Sequence, residues 1–120
     1  MALKNVLHRL SKPTKELDKE KLRDFCESHT EATPIAEVKP RELAIIVGQI
    51  STLRIVPRAD GSQWLEATVT DGTGTVVAMW TGRRRIAGVN PGQRILLKGR
   101  GSKSGPGGRL MIFNPEYELL

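Results

Sequence analysis

Three consecutive arginines, Arg83, Arg84 and Arg85, follow Trp80 in the stretch TDGTGTVVAMWTGRRRIAG. A guanidinium group can hold a phosphate or carboxylate through two parallel hydrogen bonds, and an indole ring offers a flat surface on which bases stack. This pattern is typical of two different structures. It indicates either a solvated loop that carries charge for solubility, or a site that holds a phosphate backbone beside a stacking surface.

The distribution of charge favours the second interpretation. The chain has 120 residues with 19 Lys or Arg and 13 Asp or Glu, which gives a net charge of +6 and a pI near 9.9. Between Gly72 and Pro115 there are eight basic residues and no acidic residue. A surface of one sign attracts a polyanion such as nucleic acid. A generic basic surface without a specific partner stays open as the alternative.

The sequence offers little for catalysis. His8 and His29 share no ligand spacing with other candidates, and Cys26 falls in an apolar helical stripe, where packing is its ordinary role. The stretch GSKSGPGGR lacks the spacing and context of a phosphate-binding loop. We therefore predict that the protein is not an enzyme, and that it has no metal site, no cofactor and no small-molecule substrate.

Cysteine usage and hydropathy bear on the cellular compartment. A single cysteine cannot form an internal disulfide, which fits a reducing environment. No apolar run is long enough for a secretory signal or a bilayer span. Anionic lipid is disfavoured as a target, because the basic residues follow strands and loops rather than one helical face. We therefore predict a cytoplasmic protein without a membrane partner.

The elements that must position these residues begin with helices. Apolar residues between positions 3 and 10 lie at helical spacing and predict a short first helix. A second helix begins near Thr14, whose hydroxyl can cap it, and ends near Ser28 or His29. We assign residues 1–37 to an N-terminal helical segment that packs on the domain formed by the rest of the chain.

Residues 38–120 contain five segments with the composition of β-strands, of which the first is long and carries Gly48, where a bend or bulge is expected. The turns PRADG and DGTG, the long connector TGRRRIAGVNPG and the loop GSKSGPGG separate the segments. This order predicts a mainly β fold, a five-stranded Greek-key barrel of the OB type with one or two N-terminal helices packed on it. A small open sandwich is the alternative.

In an OB barrel, ligands bind the face of the second and third strands and the loops that border it. Trp64 has the opposite strand phase to Leu65 and points outward, so that it either stacks on bases or packs over the end of the barrel or against the N-terminal helices. Trp80 has the phase of the core. The predicted nucleic-acid contacts are Arg54, Arg58, Trp64, Thr68, Met79, Arg83, Arg84, Arg85, Arg100, Lys103 and Arg109.

Four segments carry a family resemblance: VGQI, VTDGTGTVVAMW, NPGQRILLKGR and FNPEYELL. They resemble the wedge domain, an OB-fold domain, of the branch-migrating helicases of the RecG family. The resemblance covers about Val38 to Leu120, and NPEYE is its most specific part. The whole chain is also similar to small stand-alone actinobacterial OB-fold proteins that carry an arginine triplet after a tryptophan. The resemblance implies binding of DNA at single-stranded or branched regions.

These observations leave two classes of function. We expect residues 38–120 to bind single-stranded or branched DNA with low sequence specificity, and RNA stays an alternative to DNA. The other class is a protein-interaction module, in which the barrel and the apolar face of the N-terminal helix dock a protein partner or a second copy of the chain.

Overall fold

The computed structural model of the protein describes residues 14–104 and 108–120. Helix α1 spans Thr14–Glu27, and a short 3-10 helix spans Ile35–Glu37. The strands are β1 Leu43–Pro57, β2 Gln63–Thr70, β3 Thr75–Trp80, β4 Arg94–Ser104, β5 Arg109–Phe113 and β6 Glu116–Leu119. The helix predicted between residues 3 and 10 lies outside the described part of the chain. Within that part, no helix is long and apolar enough to cross a membrane.

Five of the strands pair in a closed ring. Their order is β1-β2-β3-β5-β4, and β4 pairs again with β1. The β3–β5 pair is parallel, whereas the other pairs in the ring are antiparallel. The mainly β class predicted from the sequence is confirmed, and the connectivity is consistent with the predicted OB-type arrangement.

The predicted fifth strand is two strands in the structure. β5 pairs with Gly101–Ser104 of β4, and β6 pairs with Ile95–Lys98 of the same strand. Between them Asn114 adopts a positive φ of 49°, and the following Pro115 has no amide hydrogen to donate. The prediction of one continuous strand was wrong because these two residues interrupt the pairing with β4. The interruption leaves β5 to close the ring and β6 to extend beyond it.

β1 changes its pairing partner midway along its length. Its first half pairs with β4, and from Gln49 onward it pairs with β2. The register shifts between Ile50 and Thr52, a bulge that follows the bend predicted at Gly48 by two residues. A Cβ atom at Gly48 would lie 2.7 Å from the carbonyl oxygen of Thr70, so only glycine permits this close approach. The bend lets β1 pair with β4 along its first half and with β2 along its second half, which helps to close the ring.

The ring encloses an aliphatic core. Trp80 joins this core at the end of β3, where it is 4% exposed. Its ring meets Tyr117 of β6 edge to face, with the ring centroids 5.8 Å apart. The inward orientation predicted for Trp80 from strand phase is confirmed. The largest fully buried side chains of this core are Ile46, Ile50, Val69, Val76, Ile95, Leu97 and Ile112.

Helix α1 packs on the outside of the ring, at the place where β1 pairs with β4. Leu22 and Cys26 are buried against Val47 of β1. The guanidinium carbon of Arg94, on β4, lies 4.3 Å from the centroid of the Phe25 ring. Burial raises the pKa of the Cys26 thiol, so the thiol stays protonated and unreactive at neutral pH. The prediction that a helix packs on the strands is confirmed for α1.

Asp71, in the turn between β2 and β3, fastens the N-terminal segment to the ring. Its buried carboxylate accepts hydrogen bonds from the amides of Thr73 at 2.8 Å and Gly74 at 3.2 Å. The same carboxylate accepts from the amide of Ile35, in the 3-10 helix, at 2.9 Å. Arg23 of α1 donates to the backbone oxygen of Asp71 at 2.8 Å. One turn residue thereby holds together three elements that are distant in sequence.

We expect Asp71→Ala to lower the free energy of unfolding by about 2–3 kcal/mol, because the buried amide of Ile35 and the part-buried amides of Thr73 and Gly74 lose their acceptor. Asp60→Ala is the matched control in the turn between β1 and β2. There the exposed Asp60 carboxylate accepts from the amide of Ser62 at 2.9 Å and from its hydroxyl at 2.6 Å. Water can replace those bonds, so the control should lose much less stability. Urea unfolding measures both, and equal losses would contradict the fastening role.

Candidate nucleic-acid interface

Alternate residues of β2, β3 and β5 form one outer face of the ring. In the strand register, Glu66 of β2 lies opposite Met79 of β3, and Met79 lies opposite Phe113 of β5. Trp64 has the same phase as Glu66, two residues earlier on β2. Successive side chains of a strand point to opposite faces, so these residues point away from the core. This is the face on which the sequence predicted ligand contacts.

A buried carboxylate at the centre of this face orients two arginines. Glu66 accepts from Arg54 of β1 at 2.9 Å and from Arg109 of β5 at 3.1 Å, one arginine on each carboxylate oxygen. The side chain of Glu66 is 8% exposed, whereas those of Arg54 and Arg109 are 69% and 55% exposed. The group of three keeps a net charge of +1. It therefore presents two positioned guanidinium groups to the solvent.

The tryptophan of this face is bordered by an arginine and a phenylalanine. The guanidinium carbon of Arg58 lies 4.1 Å from the centroid of the Trp64 ring. The exposed Phe113 meets Trp64 edge to face, with centroids 6.2 Å apart and planes at 83°. Trp64 is half-buried, so one part of its side chain packs against the protein and another part is accessible to a ligand. We call the six residues Arg54, Arg58, Trp64, Glu66, Arg109 and Phe113 the Trp64 face.

Two further predicted residues lie on the same side of the strands. Met79 has the predicted phase but is 6% exposed, and this burial argues against the predicted contact of its side chain with bases. Thr68 is half-buried and lies opposite Val77 of β3. Its hydroxyl therefore stays a candidate for a polar contact at the margin of the Trp64 face.

Part of the arginine triplet borders Arg54. Arg83, Arg84 and Arg85 are exposed on the connector between β3 and β4, and among the described residues none of them forms an ion pair. Arg84 and Arg85 line a cavity of about 350 Å³ together with Arg54 of β1. The fold thus brings two exposed arginines of the connector close to Arg54 of β1, which belongs to the Trp64 face.

The remaining predicted basic residues lie on β4. Arg100 donates to the backbone oxygen of Arg41 at 3.0 Å and stays exposed. Lys103 lies opposite Leu110 near the end of the β4–β5 hairpin, whose residues 105–107 lie outside the described ranges. Within those ranges no hydrogen bond or ion pair joins Arg100 or Lys103 to the Trp64 face, so their part in binding stays a prediction.

Two members of the Trp64 face were not predicted from the sequence. Glu66 has the outward phase of β2, but Arg109, one of its two partners, lies 43 residues away along the chain. Phe113 lies in the apolar run RLMIF, where hydrophobicity alone does not distinguish the inward from the outward residues. The alternation of burial along β5, with Leu110 and Ile112 inward, reveals its phase only in the structure.

The sequence matches no known protein family and no curated protein. The structure is similar to a chain in a solved structure of RecG bound to a three-way DNA junction, with a TM-score of 0.63 at 18% sequence identity. The match covers 72% of this chain and 12% of the RecG chain. This likeness shows a shared fold with part of RecG, and at that level it supports the resemblance inferred from the sequence.

Proposed function

We propose that the protein binds single-stranded or branched DNA with low sequence specificity, as a cytoplasmic binding module without catalytic activity. The Trp64 face carries this proposal, because it joins three arginines to two aromatic rings on one surface. Cations along the backbone and flat surfaces for bases are the two requirements of single-strand binding, and neither depends on base sequence. The fold shared with part of a junction-bound RecG supports DNA as the ligand.

The positions of the arginines on the Trp64 face suggest that they have two different roles. Arg54 and Arg109 each direct one terminal nitrogen to Glu66, and a guanidinium group has five N–H donors, so each keeps donors for phosphate oxygens. Arg58 covers the Trp64 ring. A base therefore stacks on the guanidinium plane of Arg58, or displaces Arg58 and stacks on Trp64.

Fluorescence anisotropy with labelled oligonucleotides of one length tests the proposal. The panel contains single-stranded, blunt duplex and forked DNA, and single-stranded RNA, with each single strand in two unrelated sequences. We expect the single-stranded and forked DNA to bind more tightly than the blunt duplex, with little difference between the two sequences. A preference for the blunt duplex, or no binding to any nucleic acid at low salt, would contradict the proposal.

Replacing Arg83, Arg84 and Arg85 together with alanine tests the contribution of the connector. Exposed loop residues usually change stability by less than about 0.5 kcal/mol, so the fold should persist. The connector, residues 81–92, contains no aromatic residue, and we therefore expect the triplet to act through its charge. The affinity for every nucleic acid in the panel should fall by a similar factor, and the affinity should depend less steeply on salt. A loss confined to forked DNA would instead place the branch point at this loop, and no change would show that the triplet is only a solvated loop.

A further inference from the structure

The second half of β1 has one edge without a neighbouring strand among the described residues. β1 pairs with β4 only as far as Gln49, and beyond this residue its sole strand partner is β2. The connector between β3 and β4 bonds to β1 only at Ile50, whose amide donates to Gln93 and whose carbonyl accepts from Gly92. An open edge carries backbone groups that can pair with another chain.

The hairpin between β1 and β2 fixes which backbone groups face this edge. The amide of Arg58 donates to the carbonyl of Ser62 at 2.9 Å. Hydrogen-bonded pairs recur every second residue in an antiparallel ladder, so Val56 and Arg54 bond to β2. The intervening Leu53 and Ile55 direct their N–H and C=O groups to the open edge.

Pro57 has the same phase as Leu53 and Ile55 at the end of β1. Proline has no N–H group, and within strands it is found where no ladder partner requires one. Its position agrees with an edge that has no strand partner within this chain.

The open edge faces the cavity of about 350 Å³ that Arg54 shares with the connector. Aliphatic side chains form most of its walls, and Ile55 is 44% exposed there. The exposed Arg84 and Arg85 of the connector also line it, so the site combines free backbone groups, apolar surface and positive charge. The lining residues are Leu53, Arg54, Ile55, Leu65, Arg84, Arg85, Ile86, Val89 and Asn90.

We propose that this edge binds an extended acidic segment of a partner protein as an added β-strand. Backbone hydrogen bonds to Leu53 and Ile55 hold the segment, and side chains at alternate positions enter the cavity. Carboxylates on the segment pair with the arginines of the cavity. A nucleic-acid strand has no repeating amide ladder to match the free groups of the edge, which favours a peptide. The interaction is additional to the proposed binding of DNA.

Amide hydrogen exchange of the whole protein, measured by NMR, tests this inference. The probe is a synthetic peptide in which Asp and Val alternate, and a peptide of alternating Lys and Val is the charge control. We expect the Asp–Val peptide to slow exchange at Leu53 and Ile55 at least about tenfold, because these amides gain an acceptor. Exchange at Arg54 and Val56, which already bond to β2, should not change. Unchanged exchange at Leu53 and Ile55, or equal binding of the Lys–Val peptide, would overturn the inference.

A pair of matched variants tests the same site by affinity. Ile55→Glu places a carboxylate in the cavity, whereas Leu43→Glu makes the same change at the other end of β1, where Leu43 is 56% exposed. We expect Ile55→Glu to weaken binding of the Asp–Val peptide at least about tenfold. Leu43→Glu should leave the affinity for this peptide unchanged. Equal effects of the two variants would overturn the inference. Should Ile55→Glu fail to fold, the exchange measurement on the natural protein decides.

Single-stranded DNA is titrated into the natural protein beside the peptide. Binding of DNA without binding of the peptide would overturn this inference alone. Binding of the peptide without binding of DNA would contradict the proposed function alone, so the two claims fail separately.

Discussion

Trp80→Ala is expected to lower the free energy of unfolding by about 3–5 kcal/mol, because it empties the volume of the largest core side chain. Trp80 is 4% exposed and belongs to a core that also includes Ile86 and Val89 of the connector. The truncation also removes the edge-to-face contact with Tyr117. Urea unfolding followed by circular dichroism gives the loss.

Trp64→Ala is the matched comparison, because it makes the same truncation on the other face of the sheet. Trp64 is half-buried, so its loss of stability should be clearly smaller. The free energy of binding to single-stranded DNA should weaken by about 1–3 kcal/mol if bases stack on this ring. Equal losses of stability in the two variants, with DNA affinity unchanged per folded molecule, would contradict both assignments.

The second large effect is expected from the centre of the Trp64 face. Replacing Arg54 and Arg109 with glutamine leaves the carboxylate of Glu66 buried without its two partners. We expect a loss of about 1–2 kcal/mol of stability, below the loss for a fully buried pair because both arginines are mostly exposed. Single-strand DNA affinity should fall about tenfold or more, because two phosphate contacts are lost.

Adding Glu66→Gln to this double variant separates the two effects. The triple variant has no carboxylate buried without partners and should regain most of the lost stability, while its DNA affinity stays low. It loses two positive charges and one negative charge, so Lys98→Gln is a control with the same change in net charge. Lys98 lies on β4 opposite Ile45 and Glu116, outside the Trp64 face. Equal loss of affinity in the triple variant and in Lys98→Gln would show that only net charge matters.

The local patterns of the sequence predicted much of the fold. The alternation in SQWLEATVT predicted the opposite orientations of Trp64 and Leu65, and the apolar helical stripe predicted the burial of Cys26. Such patterns report periodicity, which is a property of neighbouring residues. The break at Asn114 was not predicted because residues that suit a β-strand lie on both sides of it, RLMIF before and EYEL after.

The site was less predictable because its contacts join distant strands. The sequence supplied Arg54, Arg109 and Trp64 as candidates, but only the register of β1, β2 and β5 shows that Glu66 holds both arginines. The sequence predicts DGTG only as a turn, and no local pattern shows that the carboxylate of Asp71 also reaches Ile35. The open edge of β1 is likewise a property of pairing, so no single segment reveals it.

The dependence of single-strand DNA affinity on salt tests the central claim most directly. If the protein contacts about four to six phosphates, the logarithm of the association constant should fall with the logarithm of the salt concentration with a slope near −3 to −4. Anisotropy titrations of one labelled oligonucleotide at a series of salt concentrations give this slope. We expect a linear decrease in that range. Measurable binding that does not change with salt would contradict an interface built on arginine–phosphate contacts.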